Sequence, residues 1–209
     1  RLRESILSRW PDHSILGEEQ GATEGKSAYS WTIDPIDGTM SLRNGVPLFG
    51  TILALHADSE PLLGIIQLPM LDRCYWAAKG LGTRCNGRIV SIDGASDIEG
   101  EIIALGDRAQ FARAGREAVF DELMRRHSWA RTYTDCFGHA MVIEGSVGAM
   151  ADFDLNAWDV GATKILIEEA GGRFERLPGD PEKWNVVFGK PAIVDWIIGL
   201  IDPLMEGRG

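Results

Sequence analysis

Asp34 and Asp37 stand close together in the run Trp31-Thr32-Ile33-Asp34-Pro35-Ile36-Asp37-Gly38-Thr39. Proline disfavours α conformation in the residue before it, so Asp34 is expected to stay extended at a strand end, with Pro35 at the first corner of a turn. Gly38 admits positive φ and a close backbone approach. Such a turn converges two carboxylates. With a free carbonyl at Ile36 they make an oxygen-only site, which suits magnesium or calcium rather than zinc. The backbone N–H groups of Gly38 and Thr39, with the Thr39 hydroxyl, are candidates to receive a phosphate. The same residue types serve as well in a solvated turn, where Asp, Pro and Gly are common.

Other acidic positions could join this pair. Glu18 and Glu19 follow Gly17 after an apolar stretch, a pattern equally at home on a solvated edge. Asp159, in Asn156-Ala157-Trp158-Asp159, stands just before a helical stretch, where aspartate is a preferred cap. Asp152 closes an apolar stretch and is uninformative alone. His13, His56, His127 and His139 share no metal-ligand spacing and read as surface or satisfied structural residues. Cys136 has no activating base near it in sequence.

The elements that must position these residues read as follows. An amphipathic helix is expected over 2–10 and a strand over 14–17 that delivers Glu18. A loop or hairpin tip follows over 20–28. Strands are expected over 29–33, 50–55, 62–68 and 74–78, then a glycine-rich turn over 80–87, which together suggest antiparallel hairpins. A boundary over 93–101 divides the chain into a half at 1–98 with the metal motif and a half at 99–209 with the Trp-Asp motif and substrate residues. In the second half, strands are expected over 102–105, 131–134, 147–153 and 184–188. Helices are expected over 111–126, 136–145, 160–170 and 191–204, with Gly171 and Gly172 closing the third. The alternation implies a layered α/β (α+β) fold, a mixed or antiparallel first sheet followed by a smaller α/β half.

Composition narrows the partners. The 209 residues carry 31 acids against 21 Lys and Arg, a formal charge of −10. No dense basic patch is present, which argues against nucleic acid. An anionic substrate then needs a bound cation to reverse the local field. Three cysteines without a CxxC pair argue against a disulfide framework or structural zinc. No apolar run is long enough to span a membrane, and the first residues lack a signal-peptide stretch, so no membrane partner and a cytoplasmic location are expected.

Taken together, Gly17-Glu18-Glu19, the run from Trp31 to Thr39, Trp158-Asp159 and Glu168-Glu169-Ala170-Gly171-Gly172 resemble the inositol monophosphatase family over nearly the whole chain. The resemblance implies a layered αβαβα fold and a lithium-sensitive phosphomonoesterase, often a homodimer. It would use two or three Mg2+ ions and act on a small phosphorylated metabolite. It implies that Glu18 is a metal ligand beside the attacking water and that Asp34 bridges two ions. The Ile36 carbonyl would complete the first site, and Asp37 and Asp159 the second. Glu19 would stand behind these ligands. Asp37, Gly38, Thr39 and Asp159 would border the phosphate, and Asp152 would hold substrate hydroxyl or amino groups. Glu18, Asp34, Asp37 and Thr39 would form the catalytic set, with in-line attack by a metal-activated water and no phosphoenzyme.

Thr134-Asp135-Cys136-Phe137-Gly138 and the stretches at 47–51, 64–69 and 86–87 look more like the histidinol-phosphatase branch, which acts in histidine biosynthesis. An acid at Asp135, paired with Asp152, suits a cationic amine such as that of histidinol phosphate. Alternatively, Asp135 caps the helix that follows. Other readings are a relative acting on inositol phosphate or on 3′-phosphoadenosine 5′-phosphate, and a metal-binding homologue without activity. The last is prompted by a beginning that relatives usually carry, with a helix and a Thr-Glu-Ala-Asp-like segment, and that this sequence does not show.

Overall fold

The computed structural model describes residues 1–92 and 97–206, with side chains described as far as residue 204. The boundary expected over 93–101 therefore lies partly outside the described residues.

Two sheets organise the chain. The first has eight strands in the order β2-β1-β3-β4-β5-β6-β7-β8. These are β1 (Ser14–Gly17), β2 (Gly21–Thr23), β3 (Tyr29–Asp37), β4 (Gly50–Ala57), β5 (Glu60–Leu68), β6 (Arg73–Ala78), β7 (Thr83–Cys85) and β8 (Arg88–Ile89). Its neighbours are antiparallel except β1 and β3, which run parallel. The second has five strands in the order β10-β9-β11-β13-β12. They are β9 (Ile103–Leu105), β10 (Ala130–Arg131), β11 (Ala149–Leu155), β12 (Arg173–Leu177) and β13 (Trp184–Gly189). Both sheets are mixed, since β9 pairs in parallel with β10 and β11.

Side-chain alternation stacks these sheets into layers, because successive strand residues face opposite sides. Ile52, Ala54, Ile66 and Leu68 point inward from the first sheet, and Met150, Leu155, Val186 and Phe188 point inward from the second. Between them lie α5 (Asp135–Ile143) and α7 (Thr163–Glu169), which bury Ala140, Ile143, Ile165 and Leu166 in the same cluster. The far face of the second sheet (Ile103, Leu105, Ala151, Phe153, Val187) is covered by α3 (Arg108–Arg113), α4 (Glu117–Arg126) and α8 (Pro191–Glu206). On the far face of the first sheet, Ile15, Trp31 and Ile33 meet Ile6 of α1 (Leu2–Arg9). The order of layers is α, β, α, β, α, as the resemblance implied. Among the described residues no helix is long and apolar enough to cross a membrane.

Several expected elements are subdivided or extended. The helix expected over 111–126 is two helices, α3 and α4, separated at Gly115, whose φ of +68° an α-helix cannot contain. The helix expected over 160–170 is α6 (Ala157–Val160) followed by α7. Two short strands, β2 and β7, lie within stretches expected to be loop or turn, and the edge strand β12 had no apolar run to announce it. The expected closure at Gly171 and Gly172 is present: Gly171 takes φ of +88°, and the Gly172 N–H donates to the Ile167 carbonyl at 2.9 Å.

Candidate active site

The site forms where three layers meet at the edge of the central helices. Alternation along β3 buries Trp31 and Ile33 outward, so Thr32 and Asp34 face inward. The strand does not end at Asp34, as expected, but continues to Asp37 through a bulge: Asp34 pairs with Ile52 and Asp37 with Gly50, leaving one extra residue on β3. Proline has no N–H to give a ladder, so Pro35 is tolerated in a bulge rather than at a turn corner. The bulge is pinned by the Thr51 hydroxyl, which donates to the Pro35 carbonyl at 2.8 Å, and by the Ile36 N–H, which donates to Asp34 Oδ1 at 2.9 Å.

Beyond the bulge, Gly38 takes φ of +81° and starts a short helix, α2 (Thr39–Arg43). A Cβ at Gly38 would stand 2.9 Å from the Leu48 carbonyl oxygen and 3.3 Å from Asp135 Oδ2, so both its conformation and its surroundings require glycine. The Ile36 carbonyl is not free, as the sequence suggested: it accepts the Thr39 hydroxyl at 3.0 Å. A carbonyl oxygen has two lone pairs, so one remains.

Asp37 is buried and accepts the backbone N–H of Cys136. A side chain from the first sheet thus satisfies an orphan donor at the start of α5. Asp159 sits on α6, where it is the third helical residue of a capping box and not the cap itself. Its Oδ2 accepts the Asn156 N–H at 2.7 Å and the Asn156 side-chain amide at 3.1 Å. One oxygen each from Asp34, Asp37 and Asp159 lie within 4.8 Å of one another. Glu18 follows β1, which runs parallel to β3, and its N–H donates to the Ile33 carbonyl at 3.3 Å, which places it beside Asp34 at the rim. Glu19 does not reach this cleft. It lines a separate hollow with Arg1 and Arg3.

The cleft has a volume of about 290 Å³. Among the described residues its walls carry seven carboxylates, from Glu18, Asp34, Asp37, Asp107, Asp135, Asp152 and Asp159, and no lysine or arginine. The acids pay for this crowding in their ionisation. Burial, then Asp37 and Glu18, push the Asp34 carboxyl well up. Burial and Asp135 push Asp37 up to about 8, against the Cys136 hydrogen bond. Burial raises Asp159 to about 6, although its bonds to Asn156 oppose the rise. Clustered, partly desolvated carboxylates with no cationic side chain among them fit bound metal ions, which remove the repulsion. Hard oxygen donors fit a hard divalent cation.

The same cleft also holds Asp135 and Asp152, Asp135 being the acid whose charge acts most on Asp37. Asp135 is the first residue of α5 and has φ of +58°. The cap position is held by Thr134 and not by Asp135, whose Oδ2 accepts the Thr134 hydroxyl at 3.1 Å. Asp152 points inward from β11 by the same alternation that buries Phe153 outward. Burial raises both carboxyls. Three wall residues, Asp107, Gln110 and Leu155, were not singled out in the sequence, and His139 was not placed at this wall. His139 was expected at the surface or as a structural residue. It is buried and lies one helical turn after Asp135, a spacing that could have announced a shared face.

A metal-assisted hydrolase of phosphorylated small molecules is the class that this layered fold and this acid-lined cleft define. The chain belongs to the inositol monophosphatase family, whose model matches residues 1–202. It is similar to a fructose-1,6-bisphosphatase/inositol-1-monophosphatase of Aquifex aeolicus, 32% identical over 99% of this chain and 79% of the relative. It is also similar to a histidinol-phosphatase of Streptomyces coelicolor, 32% identical over 96% of this chain and 79% of that protein. Among solved structures, an inositol monophosphatase from Anabaena superposes with a TM-score of 0.88 at 26% identity, covering 97% of this chain and 83% of its own. The protein is a phosphatase of this family.

Proposed function

We propose that this chain is a magnesium-dependent phosphomonoesterase whose substrate carries a cationic amine, with histidinol phosphate the best match. The observation that carries this reading is the double acidity of the cleft. One group of acids (Glu18, Asp34, Asp37, Asp159) could be neutralised by metal ions, and further acids in the same cleft (Asp107, Asp135, Asp152) lie outside the Asp34, Asp37, Asp159 cluster. Asp34, Asp37 and Asp159, with Glu18 and the remaining lone pair of the Ile36 carbonyl, would hold the ions. Bound magnesium would supply charge neutralisation for the phosphate and lower the pKa of a coordinated water.

The chain's own groups perform the rest. The N–H groups of Gly38 and Thr39, at the start of α2, would receive the phosphate, and the fixed bulge would keep Asp34 and Asp37 converged without reorganisation. Asp135 and Asp152 would accept charge-assisted hydrogen bonds from an ammonium group and orient the ester. Glu19 would act only from outside the cleft. The similarity to the Streptomyces coelicolor histidinol-phosphatase supports this choice, and the Aquifex aeolicus relative supports inositol 1-phosphate as the second candidate.

The test is phosphate release from histidinol phosphate and from inositol 1-phosphate, each with magnesium and with a chelator. Magnesium-dependent turnover favouring histidinol phosphate is expected. The Asp135→Asn variant should lose tenfold or more in kcat/KM on histidinol phosphate, which corresponds to roughly 1.4 kcal/mol, and keep its activity on inositol 1-phosphate. Equal losses on both substrates would refute the role given to Asp135.

A further inference from the structure

Resting on that substrate reading, we infer that His139 is a positioning residue: it fixes the carboxylate of Asp152 and thereby sets the preference for an amine-bearing ester. Asp152 is buried on β11 and is gripped from three sides. Its Oδ1 accepts the Phe153 N–H at 2.9 Å, and its Oδ2 lies 3.3 Å from His139 Nε2. On the third side is Gly106, where an added Cβ would stand only 2.0 Å from Asp152 Oδ1. No rotation of the carboxylate keeps all three relations.

The ring of His139 is itself set from behind. Its Nδ1 lies 2.8 Å from the Thr163 hydroxyl, which is fully buried on α7. A neutral imidazole has one N–H and one bare nitrogen. A bare Nε2 facing a carboxylate would place two lone pairs against each other. For a neutral ring, the arrangement that pairs each donor with an acceptor has the Thr163 hydroxyl donating to Nδ1 and the Nε2–H donating to Asp152. A buried hydroxyl on one helix, an imidazole on the next and a carboxylate on the sheet then form one directed line ending at the cleft. Such a line holds a first-contact carboxylate in one rotamer, which is what selective recognition of a small ammonium group needs.

The experiment compares KM and kcat for histidinol phosphate and for 4-nitrophenyl phosphate, which has no cation, in the wild-type protein and in His139→Leu, His139→Gln and Thr163→Val. A glutamine amide can replace the Nε2–H donor, and a valine keeps the shape of threonine without its hydroxyl. His139→Leu should raise KM for histidinol phosphate about tenfold with kcat within about threefold, so that the preference over 4-nitrophenyl phosphate collapses. His139→Gln should restore most of the preference, and Thr163→Val should weaken it by a smaller factor. Side-chain nitrogen NMR on the metal-free wild-type protein should show the Nε2–H tautomer. The Nδ1–H tautomer overturns the inference, as does a His139→Leu variant that keeps the wild-type preference, or a His139→Gln variant no better than His139→Leu. Should the wild-type protein itself make no distinction between the two esters, the substrate reading fails first and the role of His139 fails with it.

Discussion

Replacing Asp37 with asparagine should make the metal-free protein more stable at pH 8 while removing its response to magnesium. Asp37 is buried, and burial together with Asp135 raises its carboxyl from 3.8 to about 8. A group whose folded pKa is raised contributes stability fully present below its unfolded pKa, near 4, and lost as the pH rises through about 8. At about 1.4 kcal/mol per unit, the loss between these limits is on the order of 5 kcal/mol. Asp34 is itself raised by burial and by Asp37, and interacting acids do not titrate independently, so the expected net gain for Asp37→Asn is about 2 kcal/mol or more at pH 8. Asparagine keeps an oxygen that can accept the Cys136 N–H, so the start of α5 stays satisfied. For a chain of this size 2 kcal/mol is a Tm increase of roughly 4–8 °C. The assay is thermal unfolding in chelator at pH 8, 6.5 and 5, repeated with magnesium. The gap between variant and wild type should narrow as the pH falls, and magnesium should raise Tm only in the wild type. A variant that melts at or below the wild type in chelator at pH 8 would refute the account of Asp37 as a carboxylate destabilised for the sake of a cation.

Two further substitutions test the surroundings. Gly38→Ala meets both a φ of +81° and a backbone oxygen at 2.9 Å, so it should cost about 1–3 kcal/mol of stability and lower phosphate release steeply; unchanged Tm and turnover would show that the start of α2 relaxes freely. Cys136 is fully buried, with its thiol pushed up first by burial, so it is no nucleophile. Cys136→Ala should keep kcat within about threefold, and a loss of a hundredfold would reopen a catalytic thiol.

What was legible in the sequence depended on whether one local feature carried it. Asp34 and Asp37 flank a single bulge with Gly38 just beyond it, and their spacing was enough to foresee convergence. The error there was conformational. An Asp-Pro step reads as a corner, because nothing local shows that Thr51 of the neighbouring strand would hold Pro35 within the sheet. The single helix expected over 111–126 failed for the opposite reason: the local break at Gly115 was visible, but the apolar pattern on either side outweighed it. The strand β12 was missed because it is a short edge strand, paired on β13, in which only Phe174 and Leu177 are apolar and they do not alternate.

The wall around Asp152 shows why residue type alone could not find the rest. Asp107 caps α3 through a box with Gln110, and His139 bonds Thr163, so each has a sufficient local reason to exist. Only the layering brings them to one wall. Alternation aims Asp34 inward from the first sheet and Asp152 inward from the second, and the middle helices stop short of filling the gap between them. The acids of the two sheets therefore face a common space that neither sheet could form alone. The acid-lined cleft follows from that geometry: acids that would repel without a cation stand beside an acid braced by a histidine from the layer between.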